Sequence, residues 1–177
     1  MVHKANIFRK THGLYREISK ELSQSYPDIE YHDCYADALC ALLVRHPQEY
    51  DVIVSENLIG DLLSDLAGQI AGGLGMTAGT NINYETKKGY FEPTHGCAPD
   101  IKGTKKANPI GQIRSAGLML EFLGLLHQDE RCQRAFSILE RAITDYLTQS
   151  DPKDLPIELG GTANTERVGD IIVSKIR

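Results

Sequence analysis

The sequence lacks an excess of positive charge: 19 lysines and arginines face 24 aspartates and glutamates, a formal net charge of -5. Its cations are scattered, and the cluster at Lys102, Lys105 and Lys106 is too short to form a basic tract. This argues against nucleic acid as a partner, because binding a phosphate backbone needs a basic footprint. Also missing is any run approaching the roughly 18 to 20 apolar residues of a membrane-spanning helix, so no membrane partner is expected. The most apolar short run, Ala38 to Val44, reads instead as a buried helix face. The opening residues, Met1-Val-His-Lys-Ala-Asn6, contain no apolar signal region, so no export signal is expected and the cytoplasm is the expected compartment. The four cysteines (Cys34, Cys40, Cys97 and Cys132) have no CxxC spacing, which argues against a zinc site or a disulfide frame and predicts reduced, buried thiols. No internal repeat and no low-complexity segment is present.

What is there is an alternation of short apolar runs and longer helical periods, the pattern of an α/β protein. A length of 177 residues fits one domain or parts of two, and 41% hydrophobic residues suffice for a substantial core. Val2 to Ile7 reads as a short strand, followed by a helix from about Leu14 to Tyr26. Pro27-Asp28 turns the chain, and Ile29 to His32 reads as another strand. A helix from about Tyr35 to Arg45 stops before Pro47, as a proline demands. Asp51 to Ser55 is the clearest strand, a β-branched run suited to a buried sheet position. Asn57 is a good helix cap, and a helix then runs to about Ala71. Extended pieces follow at Thr80 to Asn83 and Gly89 to Glu92, then a polar loop from Pro93 to Pro109. Helices over about Gly111 to Leu125 and Glu130 to Leu147 precede a proline- and glycine-containing connection and a last helix.

Several stretches carry chemistry. In Ser55-Glu-Asn-Leu-Ile-Gly-Asp-Leu-Leu-Ser-Asp65, the acids Asp61 and Asp65 lie four apart, so a helix puts both carboxylates on one face. Their neighbours Leu58, Leu62, Leu63 and Leu66 are apolar, a setting in which two acids are expensive unless a cation compensates them. A hard divalent cation with oxygen ligands fits; the solvated edge of an amphipathic helix is the plainer alternative. Lys4 lies in an apolar, strand-like segment, where a lysine near acids or a metal can take part in proton transfer; an edge-strand lysine is the alternative. Asp37, between two alanines, is by itself a helix-start acid. In Glu92-Pro-Thr-His-Gly-Cys-Ala-Pro-Asp-Ile-Lys-Gly103 the small residues let a ligand approach the backbone, and Asp100 could accept hydrogen bonds from a ribose diol. Gly73-Leu-Gly-Met-Thr-Ala78 fits the G-x-G-x-x-G/A nucleotide pattern. It follows a helix and precedes extended sequence, the reverse of the context that gives the pattern meaning, and reads as a turn.

Taken together these segments resemble the β-decarboxylating dehydrogenases, the family of isocitrate and isopropylmalate dehydrogenases, in order over nearly the whole chain. Val2-His-Lys-Ala-Asn-Ile7 is similar to the family's catalytic-lysine strand. Tyr35-Ala-Asp-Ala38 is similar to the helix that supplies one metal-binding aspartate. Glu56-Asn-Leu-Ile-Gly-Asp-Leu-Leu-Ser-Asp-Leu-Ala67 is similar to the family signature. His95-Gly-Cys-Ala-Pro-Asp-Ile101 is similar to the cofactor loop, and Asn108-Pro109 to the start of the helix after it. Four ordered motifs at compatible spacings make chance a poor explanation.

The resemblance implies an isocitrate/isopropylmalate dehydrogenase-like α/β chain, the C-terminal half of a two-domain mixed-sheet fold. Residues 1–71 would be part of a metal-binding and dimerisation domain, and residues 72–177 the C-terminal part of an NAD-binding domain. Asp37, Asp61 and Asp65 would surround Mg²⁺ or Mn²⁺, with Lys4 and Asp37 reaching the site from the other protomer, so a homodimer would share its active sites. Lys4 and Asp37 would be catalytic: Lys4 would assist removal of the hydroxyl proton of a 2-hydroxy acid while hydride passes to NAD, and CO₂ would then be lost. His95, Gly96, Ala98, Pro99, Asp100, Ile101 and Asn108 would hold the adenosine half of NAD, with Asn57 near the nicotinamide ribose. The Asp100-Ile101 pair resembles NAD users rather than NADP users, and a 2′-phosphate beside Asp100 would meet like charge. Val-His-Lys and His-Gly-Cys-Ala-Pro-Asp favour isocitrate over isopropylmalate; homoisocitrate, tartrate and a non-catalytic regulatory or assembly module are the alternatives. Family members are about twice this long. The substrate arginines and the protonating tyrosine would lie in the other half, so the chain, beginning three residues before its lysine, is expected to be a truncated form inactive as a dehydrogenase by itself.

Overall fold

In the computed structural model, which describes residues 1–176, the chain divides into two compact units, Met1–Ile70 and the described residues from Ala71 onward. The class is mixed α/β. In the first unit, β1 (Val2–His3) and β2 (Cys34–Tyr35) pair in parallel, with Val2 opposite Cys34 and His3 opposite Tyr35. A parallel pair needs a long crossover, and α1 (Thr11–Ser23) lies within it. Val2 packs with Leu39 and Leu43 of α2 (Ala36–Arg45) and Leu63 of α3 (Asn57–Ile70) to form a small core. Leu39 and Leu43 stand one helical turn apart, so α2 buries a single stripe, while Ala38, Cys40, Ala41 and Val44 are exposed. The expectation of one buried face from Ala38 to Val44 is therefore too broad. A helix flanked by a small core on one side buries only the residues on that side.

Three expected strands change. The first ends at His3, because the Lys4 carbonyl accepts the amides of both Ile7 and Phe8 and turns the chain. Pairing of the second occurs at Cys34–Tyr35 rather than over Ile29 to His32. Asp51 to Ser55 is not a strand: it is tied to β1 through Val2 N–H to the Val54 carbonyl at 2.8 Å, and Val52 and Val54 are exposed. A β-branched run becomes a strand only where neighbours complete its ladder.

In the second unit, β3 (Ala78–Asn83) and β4 (Lys88–Pro93) form an antiparallel hairpin, in register from Ala78 opposite Pro93 to Asn83 opposite Lys88. The expected loop over Pro93 to Pro109 is present, broken by a 3-10 turn at Pro99–Ile101. It leads into α4 (Ile110–His127). α5 (Glu130–Gln149) follows at once, its first turn capped by the Asp129 carboxylate, which accepts the Arg131 amide. A connection with short 3-10 turns at Pro152–Asp154 and Ile157–Leu159 leads to α6 (Thr165–Lys175), capped by Asn164. Met76, Ile110, Ala142, Ile143, Tyr146, Ala163, Val168 and Ile172 make the core. The stretch Gly73 to Ala78 is a turn, with one 3-10 turn at Leu74–Met76 leading into β3.

No helix among the described residues is long and apolar enough to cross a membrane. The four cysteines are free. They are not buried as expected: Cys40 lies on the outer face of α2 and Cys97 in the open loop, while Cys34 and Cys132 are half-buried.

Candidate active site

The parallel register of β1 and β2 sets Lys4, one residue past His3, beside the first turn of α2, one residue past Tyr35. There Lys4 Nζ donates to Asp37 Oδ1 at 2.5 Å. The lysine side chain is three-quarters covered, whereas the Asp37 carboxylate is 70% exposed. The Lys4 ammonium and the Asp37 and Ala38 amides hold the Asp37 carboxyl below the usual carboxylate range. The ammonium also lies 5.9 Å from the centroid of the Tyr35 ring, where a cation is attracted by the ring face.

A second layer of polar residues, not singled out by sequence reasoning, fixes the backbone at Lys4. His12 Nδ1 accepts the Lys4 amide at 2.9 Å. Buried His3 accepts the Ala5 amide at Nδ1, which assigns its proton to Nε2, facing Asp33 Oδ1 at 3.4 Å. Arg16 Nε donates to the other oxygen of Asp33 at 2.7 Å and is the main reason its carboxyl is held low. The sequence signal for these residues is faint: a histidine within a strand-like run and an acid just ahead of the next paired segment.

Asp61 and Asp65 occupy one face of α3 and are exposed. Neither makes an ion pair among the described residues, and Leu58 and Leu62 beside them are exposed as well. The expected burial cost is thus absent. The helix begins at Asn57, but Asn57 is not its cap: the Glu56 carboxylate accepts the Leu58 and Ile59 amides at 2.8 and 2.9 Å, which pull the Glu56 carboxyl down. Glu56 stands immediately before the helix, the position from which a side-chain acceptor reaches the amides two and three residues on, and Asn57, already inside the helix, is exposed. Lys4 and Asp37 are therefore brought together, whereas no three His, Cys, Asp or Glu side chains converge among the described residues. The exposed Asp61–Asp65 pair offers oxygen donors suited to a hard divalent cation, but an incomplete set.

In the second unit His95, Gly96, Ala98, Pro99, Asp100 and Ile101 lie together on the exposed loop after β4. A Cβ on Gly96 would meet nothing within 4 Å, so the backbone there is open to close approach. The exposed Asp100 carboxylate has no partner among the described residues and can accept from a diol, and these features fit a dinucleotide. Asn108 differs: it is 9% exposed, Nδ2 donates to Glu158 Oε2 at 3.0 Å and contacts Met76 Sδ at 3.3 Å, and Oδ1 accepts the Ile110 amide at 3.1 Å.

The chain is 43% identical over 175 residues to a 3-isopropylmalate dehydrogenase of Sulfurisphaera tokodaii, covering 99% of this chain and 50% of that protein. It is 40% identical to a mitochondrial regulatory subunit of the NAD isocitrate dehydrogenase of Dictyostelium discoideum, covering 99% of this chain and 47% of that one. The solved isocitrate dehydrogenase from Methylococcus capsulatus superposes with a TM-score of 0.89 at 39% identity, over 99% of this chain and 49% of its own. The chain spans about half the length of the relatives it matches. The sequence profile described as isocitrate/isopropylmalate dehydrogenase matches residues 1–172, and the chain belongs to that family.

Proposed function

We propose that this chain carries the metal, lysine and nucleotide residues of an NAD-dependent β-decarboxylating dehydrogenase, acting on a 2-hydroxy acid with isocitrate first among the candidates. The observation that carries this reading is the division of the polar residues in the first unit. Lys4 and Asp37 form one ion-paired set, while Asp61 and Asp65 form another that has no cation partner among the described residues. Two copies exchanging these sets would complete two sites, each with Asp61 and Asp65 from one copy and Lys4 and Asp37 from the other. Mg²⁺ or Mn²⁺ held there would supply Lewis-acid polarisation of the substrate oxygens, and NAD would supply the hydride acceptor. The amine form of Lys4 would take the hydroxyl proton at Nζ, and Asp37 would hold the ammonium that results. The exposed loop residues His95 to Ile101 would bind the adenosine half, and Asp100 would disfavour a 2′-phosphate by like charge. Free thiols favour a cytoplasmic setting.

Mn²⁺ titration of the chain tests this reading. Binding that Asp61→Asn weakens at least about tenfold is expected, as for loss of one charged ligand. Binding unchanged by Asp61→Asn and by Asp65→Asn overturns the metal assignment. A regulatory role is the second reading, favoured by 40% identity to a protein named as regulatory. It predicts a stable assembly without metal dependence. Substrate-dependent NADH formation by this chain alone would show that it needs no other half.

A further inference from the structure

The loop that carries the candidate nucleotide residues is open along His95 to Ile101; its near end is tied through Thr94 to Thr77, and three further contacts fix its far end. Thr165 Oγ1 donates to the Ala107 carbonyl at 2.5 Å, and the Thr165 amide donates to the Lys105 carbonyl at 2.9 Å. The third fixed point is Asn108, and its partner is Glu158. One carboxylate oxygen, Oε2, accepts from Asn108 Nδ2 at 3.0 Å, and the other, Oε1, accepts the Gly75 amide at 3.0 Å. Glu158 is held in the turn Ile157–Leu159, between buried Pro156, which bridges to Ala163, and Leu159, which packs on the core.

The same carboxylate explains the glycine pattern that looks like a nucleotide motif. A Cβ on Gly73 would collide with Oε1 of Glu158. A Cβ on Gly75 would collide with Oε2 of Glu158 and lie 2.7 Å from the Asn108 Cβ. Real Cβ atoms do not approach so closely, so the two glycines form a socket for the Glu158 side chain rather than a cradle for phosphate. Asn108, with its amide engaged on Glu158 and Met76 and its oxygen on the first turn of α4, has its side chain turned into the fold.

We propose that Glu158 is a positioning residue for the nucleotide loop: by gripping Asn108 and the Gly75 amide it fixes the end of the loop, and so the shape presented to the dinucleotide. The inference rests on the NAD reading of His95 to Asn108. It is tested by measuring NAD affinity of the 177-residue chain by calorimetry alongside its unfolding midpoint and the side-chain amide resonances of Asn108. Glu158→Gln keeps the size but replaces one acceptor with a donor, and should weaken NAD binding about tenfold, the effect of one charge-assisted hydrogen bond, at an unchanged midpoint. It should also shift the Asn108 amide resonances. Glu158→Ala, which removes the carboxylate without adding atoms beside Asn108, should do the same and carries the test if the first variant does not fold. NAD binding by the original chain that neither variant alters overturns the positioning role alone. So does weakened binding that only tracks a lowered midpoint. No NAD binding by the original chain removes the nucleotide reading and this inference with it.

Discussion

Lys4 and Asp37 stand 33 residues apart in the chain, and their charged atoms meet at 2.5 Å. The pair leaves Asp61 and Asp65 without a cation among the described residues, which is the arrangement expected if sites are completed between copies. Complementation follows. Asp37→Asn alone and the double variant Asp61→Asn/Asp65→Asn should each bind Mn²⁺ poorly. Mixed after refolding, they should regain about a quarter of the original sites, since about half of randomly assembled dimers are mixed and each restores one site of two. Titration of the mixture checks this, and no recovery in a mixture shown to contain mixed dimers would place all three carboxylates in one chain's site.

Glu56 takes the first free amides of the helix that carries Asp61 and Asp65. Glu56→Ala should lower stability and fray that end of α3, while Glu56→Asp should recover part of the loss, because a shorter acid is a good cap. Amide exchange at Leu58 and Ile59 reads the effect directly. Equal protection in the original chain and Glu56→Ala would mean that the cap contributes nothing.

Asp33, gripped by Arg16 and His3, supplies a pH dependence whose sign follows from its lowered pKa. The folded carboxyl titrates below its ordinary value of 3.8, so the contribution is fully present above that value and is lost as pH falls through the folded value. Arg16→Ala should raise the Asp33 pKa. The difference in acid stability between the two proteins should close below pH 3.8. Carboxyl carbon shifts and acid unfolding curves check both statements.

The helices are legible in the sequence because each repeats its apolar positions over several turns. The aspartates of α3 are legible because a four-residue spacing on a helix has only one geometric meaning. The short strands are not. Val2–His3 and Cys34–Tyr35 are two residues long, and which of several apolar runs pairs is settled by partners distant in sequence. Asp51 to Ser55 has the composition of a strand without the neighbours. Asn57 reads as a cap where Glu56 provides one, since both are plausible acceptors and only where the helix begins separates them. Glu158 leaves no local signature either. Its role depends on Gly73, Gly75 and Asn108, some 50 to 85 residues earlier, and a hydrogen bond between such segments has no period to read.

Tyr146 is fully buried among Ile143, Val168 and Ile172, and its hydroxyl donates to the Asp154 carbonyl at 2.7 Å. Burial pushes its pKa up to about 12, against an ordinary value of 10.0. The neutral phenol is the form the fold favours, so its contribution is complete below pH 10.0 and is lost as pH rises through about 12. Tyr15, Tyr31, Tyr50 and Tyr90 are also raised, so tyrosinate absorbance should show several late-titrating groups, of which the component near 12 disappears in Tyr146→Phe. That variant keeps the ring but leaves the Asp154 carbonyl without this donor, and should cost about 1 kcal/mol at neutral pH. Ile143→Ala, which opens a cavity in the same core, should cost about 2–5 kcal/mol. If Tyr146→Phe equals or exceeds the loss in Ile143→Ala, the hydrogen bond to Asp154, rather than packing, dominates the anchoring of the 152–159 connection on which Glu158 sits.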